Sequence, residues 1–388
     1  MNDLVLTKEV QVQINRETGS ATGLPNYAYT SEEFFEMERA TLFRDTWVCI
    51  ANACTVSDPG SLKPVSFLGS PLLVVRDQSY QIRVFHNVCS HRGNELVWDT
   101  RTCDGIIRCP YHGWAYGLDG QLRATPHIGG IGQHEIDTFD KSNHGLCEAR
   151  SEIWMDLVFV NLSGTARPFH EFIAPLQKRI DALASPEQFT KLKPAATHGS
   201  LTICFNGNWK LDIENNLESY HLPWVHPELN SISRMEDHYC YFGGELFAGQ
   251  GSKVYEHEQV NQPSFPIFHD WPVKVAEYPT LFPNVFLGLH CDHYWTRVVE
   301  PVAKDQTLDH FQLYYLGDAA VSDHYEGARS SRFDSWSKVF NEDIGVIEGM
   351  QRGRQSAAFK GGVFSAVMDE PSHYFAKWIA NRIELKQN

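Results

Sequence analysis

The sequence predicts an α+β protein whose first domain consists of β-strands and whose second domain mixes helices and strands. Short runs rich in Val, Ile, Leu and Phe between residues 46 and 165 are separated by turn sequences such as Asp58-Pro59-Gly60, a pattern typical of small antiparallel β domains. Downstream, apolar residues recur at helical spacing in 169–183, and aromatic and β-branched residues dominate 280–316. The length of 388 residues is sufficient for two or three domains.

These patterns divide the chain into an N-terminal arm and helix (1–45), a β domain (46–165) and a mixed domain (166–388). In the arm, Ser31 is expected to cap a helix because Glu32 and Glu33 follow in its first turn. The mixed domain is expected to contain three more helices besides 169–183, over roughly 209–220, 329–352 and 371–386.

Composition limits the classes of partner and the cellular location. The net charge is 33 − 48 = −15, which disfavours binding to nucleic acid or to anionic membranes. No apolar stretch approaches 18 residues, and the first twenty residues lack the apolar core of a secretory signal, so we expect a cytoplasmic protein. Nine cysteines in such a chain indicate metal binding or catalysis and disfavour a disulfide framework.

Two short motifs in the β domain combine cysteine and histidine. Cys89 and His91 form a C-x-H motif, and Cys109 and His112 form a C-x-x-H motif further along. A [2Fe–2S] cluster with two thiolate and two imidazole ligands can take one ligand for each iron from each motif. Zinc also accepts two Cys and two His, but zinc motifs usually pair like with like, so the mixed motifs favour the cluster.

A second group of candidate ligands lies in the mixed domain. His221 and His226 are separated by Pro223, which is expected to break the helix and let both imidazoles converge. Two histidines and one carboxylate that leave open positions are the ligand set of non-heme Fe(II) oxygenases. Asp343, on a predicted helix, is the first choice for the carboxylate and Glu342 the second.

The two Cys/His motifs come first in the chain, followed by the two histidines and then by the late aspartate. In this order of motifs, the chain resembles the terminal oxygenase component (alpha subunit) of the Rieske non-heme iron oxygenases. The resemblance covers about residues 25–385 and implies an all-β Rieske [2Fe–2S] domain followed by a helix-grip catalytic domain, an antiparallel sheet with helices, that holds Fe(II). It also implies a homotrimer that binds O2 and a small substrate. Electrons would come from a separate NAD(P)H-dependent reductase that carries FAD or FMN.

The same resemblance assigns a role to Glu218. In this family a carboxylate three residues before the first iron histidine bridges two subunits, so Glu218 would link His221 to the partner subunit's His112. Ring-hydroxylating members usually have Asp there. Glu within SYHLPWVHP is more similar to choline monooxygenase and its relatives that act on quaternary ammonium compounds.

The sequence therefore predicts O2-dependent hydroxylation or oxidative N-demethylation of a small quaternary ammonium or betaine-like substrate. Three alternatives remain open: an aromatic ring-hydroxylating dioxygenase, a non-enzymatic Rieske electron carrier and a zinc-binding protein. Aromatic faces would hold a cation, although most such residues pack in cores. The glycine-rich segment within 240–270 is interpreted as a loop over the pocket. The aromatic candidates are Phe205, Trp209, Phe282, Phe286, Tyr294, Trp295 and Tyr315.

Overall fold

The computed structural model describes residues 6–256 and 263–383 and divides the chain into two compact units. The first comprises Asp45–Ala166, and the second combines Met1–Arg44 with Arg167–Asn388. The N-terminal segment is thus a part of the second unit, and the β unit is inserted into that unit's sequence. The segment forms helices α1 (Lys8–Ile14), α2 (Tyr27–Thr30) and α3 (Glu32–Glu38).

Ser31 caps α3 as the sequence predicts. Its Oγ accepts a hydrogen bond from the backbone N–H of Phe34 at 3.2 Å, and Glu32 and Glu33 occupy the first turn. Phe34 and Phe35 are buried, so one face of this short helix packs into the core. A π-helical turn over Arg39–Phe43 continues the chain toward the β unit.

The β unit consists of three small antiparallel sheets, with strand orders β1-β10-β9, β4-β3-β2-β5 and β6-β7-β8. Leu68 and Gly69 join β2 to β3 with positive φ at both positions, as two-residue hairpins require. The strands are β1 Val48–Asn52, β2 Ser61–Phe67, β3 Ser70–Arg76, β4 Ile82–His86, β5 Arg101–Thr102, β6 Ile106–Arg108, β7 Ala115–Gly117, β8 Leu122–Ala124, β9 Arg150–Trp154 and β10 Leu157–Asn161.

The second unit is built on an eight-stranded antiparallel sheet with the path β11-β18-β17-β16-β15-β14-β13, and β12 also pairs with β18. Its elements are α4 Phe169–Asp181, α5 Pro186–Phe189, β11 Leu192–Pro194, β12 Ser200–Phe205, α6 Trp209–Asn216, α7 Leu222–Val225, α8 Pro227–Ile232, β13 His238–Gly243, β14 Phe247–Ser252, β15 Ala276–Leu281, β16 Val285–Leu289, β17 His293–Ala303, β18 Gln306–Leu316, α9 Gly317–Ala320, α10 Glu326–Gly353 and α11 Glu370–Arg382. In the part of the chain that the structure describes, no helix has the length and apolarity to cross a bilayer.

Three local expectations need correction. The helix predicted over 209–220 stops at Asn216, before the first candidate histidine. Pro223 does not break a helix; it lies in the first turn of α7, where a missing N–H costs nothing. The glycine-rich segment 240–270 forms strands β13 and β14 in its first part, and residues 257–262 lie outside the described chain. The helix predicted over 371–386 ends at Arg382, with Ile383 as its C-cap residue.

A buried ion pair connects the N-terminal segment to α6. Lys210 Nζ lies 2.7 Å from Glu38 Oε1, and both side chains are fully buried. Trp209 Nε1 donates to the other oxygen of Glu38 at 3.1 Å, so the carboxylate is held by two partners. Without a charged partner, burial would favour the uncharged form of either side chain. The pairing therefore fixes α6 against α3.

Replacing Lys210 by Met is expected to destabilise the protein by about 3–5 kcal/mol, because the Glu38 carboxylate stays buried without its ammonium partner. Urea unfolding measures this loss. Lys191→Met, which breaks an exposed pair with Glu187, is the matched control and should cost less than about 1 kcal/mol. Equal losses for the two variants would contradict the prediction.

Candidate active site and metal centres

The two Cys/His motifs of the β unit form loops with the same hydrogen-bonding pattern. The N–H of Gly93 donates to the carbonyl of Cys89 at 3.0 Å, and the N–H of Gly113 donates to the carbonyl of Cys109 at 3.1 Å. Both glycines have φ above +70°, which a side chain would disfavour. Each loop thus closes four residues after its cysteine.

The loops bring like ligands together. Both cysteines are buried with 2% exposure, whereas the rings of His91 and His112 are exposed and lie 4.7 Å apart between centroids. Trp114 stacks on His91 at 4.5 Å and 7°. Two buried sulfurs beside two exposed imidazoles are the arrangement that a two-iron cluster with Cys₂His₂ ligation requires.

The sulfur of Cys89 lies within hydrogen-bonding distance of the Tyr116 hydroxyl. The Tyr116 hydroxyl lies 3.1 Å from this sulfur, and the same hydroxyl accepts the backbone N–H of Ser90 at 3.1 Å. Burial raises the pKa of the Cys109 thiol, and the neighbouring Cys89 sulfur adds to the rise. A pair of thiolates at this position therefore needs a compensating cation, and the irons of a cluster would supply that charge.

The second group of ligands assembles around one point in the other unit. Nε2 of His226 lies 2.9 Å from Asp343 Oδ1, and Nε2 of His221 lies 3.8 Å from the same oxygen. One donor atom from each of these three residues lies within 4.8 Å of the others. His221 caps the start of α7 and His226 its end, while Asp343 projects from α10. The donor set fits a ferrous ion with open positions.

Each histidine has a carboxylate at its other nitrogen. Nδ1 of His221 lies 2.7 Å from Glu218 Oε1, and Nδ1 of His226 lies 2.8 Å from Glu342 Oε2. Such partners fix the ring orientation and leave Nε2 free for a metal. Asp343 therefore faces the point where the three donor atoms meet, whereas Glu342 lies on the opposite side of the His226 ring.

The electrostatics of the ligand set favour a cation. Burial opposes protonation of His226, but hydrogen bonds to Asp343 and Glu342 outweigh it and raise the pKa of this ring. Burial would raise the pKa of Asp343, yet the two histidines lower it below its usual value. The ionised Asp343 carboxylate and the raised pKa of His226 both show that this point favours positive charge. A metal ion would supply that charge.

A small cavity of about 50 Å³ lies against these ligands. Four aromatic rings form part of its wall, with neighbouring centroids 5.2–6.3 Å apart. Among them Trp295 is the only member of the aromatic set predicted from the sequence; the other predicted residues do not line this cavity. The four rings belong to Tyr278, Trp295, Trp336 and Phe340.

Gly288 makes room for one of these rings. It pairs with Trp295 across β16 and β17, and a Cβ at this position would overlap the indole. The indole therefore occupies the space beside the Gly288 backbone and forms part of the cavity wall. Any larger residue at position 288 would displace it.

Among the described residues of the cavity wall, Arg297 is the only Lys or Arg, and it is neutralised. Its Nη2 lies 2.9 Å from Asp212 Oδ1, and the guanidinium also binds Asp309. All three side chains are almost completely buried, and burial raises the pKa of Asp212. The cluster carries a charge of −1 or 0 depending on whether Asp212 is ionised, so these residues present no uncompensated cation to the cavity.

A wider groove of about 470 Å³ adjoins the cavity. The two share Leu229, Trp336 and Val339, which therefore form a common wall. Three acidic residues and one lysine line the groove, which gives it a net negative charge. These residues are Glu228, Asp334, Glu342 and Lys338.

Together the fold and the two ligand sets define an oxygenase with a Rieske cluster domain and a mononuclear iron domain. Residues 46–139 match the family model of the Rieske [2Fe-2S] domain, and residues 192–385 match that of the ring hydroxylating alpha subunit (catalytic domain). The chain belongs to the family of ring-hydroxylating alpha subunits. It is an enzyme that carries a [2Fe–2S] cluster and non-heme iron, which overturns the zinc-protein and electron-carrier alternatives.

Similar proteins act on quaternary ammonium compounds. The carnitine monooxygenase oxygenase subunit of Acinetobacter pittii is 28% identical over 345 residues, covering 87% of this chain and 86% of the relative. The glycine betaine monooxygenase oxygenase subunit of Pseudomonas aeruginosa is 25% identical over 407 residues, covering 95% and 90%. A solved quaternary ammonium Rieske monooxygenase, studied for carnitine oxidation and inter-subunit electron transfer, shares the fold with a TM-score of 0.79 and 22% identity over 95% of this chain and 97% of that one.

Replacing Glu342 by Ala is expected to weaken iron binding about 10–100-fold, because His226 loses the carboxylate that orients its ring. The release of Fe(II) to a chelator measures the change, and the absorbance of the cluster should stay the same. Glu326→Ala, at an exposed position of the same helix, is the control and should leave iron binding unchanged. Unaltered iron affinity in Glu342→Ala would show that this carboxylate does not support the ligand.

Proposed function

We propose that this protein is the oxygenase component that hydroxylates, or oxidatively N-demethylates, a small quaternary ammonium or betaine-like substrate. The observation that carries the proposal is the cavity wall beside His221, His226 and Asp343, where four aromatic rings meet a neutralised arginine. Aromatic faces attract quaternary cations strongly when water is excluded. The names of the relatives point to the same class of substrate.

The proposed ligands are Cys89, His91, Cys109 and His112 for the cluster, and His221, His226 and Asp343 for the iron. When bound, these groups supply single electrons and a site at which O2 is reduced. The aromatic wall orients the substrate and excludes water, and Glu342 and Glu218 hold the two iron histidines by Nδ1. We assign the passage of electrons between subunits to Glu218, through the partner subunit's His112.

The overall reaction balances with two electrons and two protons. A C–H bond of the substrate and O2 give C–OH and H2O. When the carbon is an N-methyl group, the hydroxymethyl product breaks its C–N bond and leaves a tertiary amine, formaldehyde and a proton. Formaldehyde release therefore distinguishes demethylation from hydroxylation at any other carbon.

The acidic groove beside the cavity would attract a cationic substrate. Glu228 and Asp334 line the groove, and Trp336 lines both the groove and the cavity. Clefts of one charge sign raise the local concentration of oppositely charged substrates.

We propose further that the chain works as a homotrimer with a separate NAD(P)H-dependent flavin reductase. Its cytoplasmic location stays a prediction.

Substrate tests with a generic reductase are expected to show O2 uptake with L-carnitine or glycine betaine. The neutral isosteres, with a tert-butyl group in place of trimethylammonium, should be turned over at least about tenfold less efficiently, because they lose the cation–π attraction of about 2 kcal/mol. The measurement is kcat/KM from O2 uptake together with formaldehyde. Turnover of aromatic acids and none of the quaternary amines would instead identify an aromatic ring-hydroxylating dioxygenase.

His221→Ala should abolish turnover and leave the visible absorbance of the cluster intact, because the variant loses one ligand of the iron and none of the cluster. Absorbance spectra and iron content are measured alongside O2 uptake. His170→Ala, at an exposed helical position, is the control and should behave like the parent protein. Turnover that survived in His221→Ala would mean that the iron site has been placed wrongly.

A further inference from the structure

Gln250 stands between the substrate cavity and the turn that carries Glu218. It lies in β14, is 7% exposed and lines the cavity. Its Nε2 lies 2.9 Å from the carbonyl of Glu218 and 3.2 Å from that of Asn216. Because carbonyls only accept, the atom that faces them must be the amide nitrogen, and the orientation of the Gln250 amide is settled.

The oxygen of the Gln250 amide determines which nitrogen of His238 carries the proton. Gln250 Oε1 lies 2.7 Å from Nδ1 of His238, so this nitrogen carries the proton and donates. Nε2 of the neutral ring then accepts from the hydroxyl of Ser233 at 2.9 Å. Ser233, His238 and Gln250 form a directional chain of donors that ends on the backbone carbonyls of Asn216 and Glu218.

The turn that carries Glu218 lies between α6 and α7. The Glu218 side chain forms hydrogen bonds with residues that follow it closely in the chain. Helix α6 ends at Asn216, and α7 begins only at Leu222. The Glu218 carboxylate is already committed to the ring of His221 and to the backbone N–H groups of Tyr220 and His221. These bonds hold the carboxylate relative to Tyr220 and His221. Gln250 bonds the backbone of the turn to the sheet, and the side chain of Asn216 adds one bond to Thr280 Oγ1 in β15 at 3.1 Å.

We infer that Gln250 is a positioning residue for Glu218: its amide fixes the turn 216–219 and so keeps the Glu218 carboxylate on Nδ1 of His221. The inference rests on the proposed function in one respect, because it takes Glu218 as the residue through which electrons enter. The position of the turn itself does not depend on the identity of the substrate.

The test replaces Gln250 by Met, which keeps the length of the side chain and removes its three hydrogen bonds. Gln312→Met is the matched control, since Gln312 lies in the same sheet with 7% exposure and binds one local carbonyl. Hydrogen exchange of the peptide 215–222 is measured, with the other peptides of the second unit as reference. Gln250→Met should exchange about tenfold faster in this peptide alone, and Gln312→Met should match the parent protein there.

Two further readouts separate positioning from a general structural role. Iron content and the cluster spectrum should be unchanged in Gln250→Met, while the recovery of cluster absorbance after mixing reduced protein with O2 and L-carnitine or glycine betaine should slow about tenfold. Gln250→Glu keeps the acceptor for His238 but turns an oxygen toward the two carbonyls. It should show the same defects, which gives a second variant if the first does not fold.

Unchanged exchange in the peptide 215–222 would overturn the inference, and so would faster exchange throughout the second unit with loss of iron. An unaltered recovery of absorbance beside faster local exchange would also overturn it, because the turn would then move without consequence for electron entry. If the parent protein turns over no quaternary ammonium compound, the proposed function fails, yet the exchange result still decides whether Gln250 holds the turn.

Discussion

The position of His226 between two carboxylates of one helix is the contact on which the catalytic unit depends. Asp343 reaches Nε2 of the ring, and Glu342, the preceding residue, reaches Nδ1. Neighbouring residues on a helix point about 100° apart, so only a ring placed between their directions can meet both. This contact joins α10 to a loop more than a hundred residues earlier, and it sets the place where the three metal-binding atoms meet.

The surrounding elements keep that contact in register. Helix α6 precedes the loop and is fixed at its start by the buried pair of Lys210 and Glu38, which belongs to the N-terminal segment. The sheet supports the loop from the other side through Gln250. The site is thus built on one long helix and one sheet that contact the loop directly, and on an arm distant in sequence that fixes the helix preceding the loop.

The sequence pointed to candidate ligands that the structure brings close together, but it did not point to the cavity, and the reason is physical. Metal ligands are restricted to few residue types, and Cys89, His112 and His221 stand in short motifs whose spacing reflects local loops. Cavity walls use the same aromatic residues as the core. Trp336 faces the cavity because of the packing of α10, and Trp295 because Gly288 leaves it space. Likewise, Gln250 and Arg297 carry no sequence signal, since their roles arise from contacts across the sheet.

The insertion of the β unit has a consequence for how such enzymes can be rebuilt. Its first strand, β1, pairs antiparallel with its last, β10, and Asn161 donates to the carbonyl of Thr46 at 3.2 Å. The chain therefore enters and leaves this unit through two adjacent strand ends. Units whose chain ends lie close together are the ones at which domain insertion is tolerated, so this boundary is where a chimera could join the cluster unit of one homologue to the substrate pocket of another.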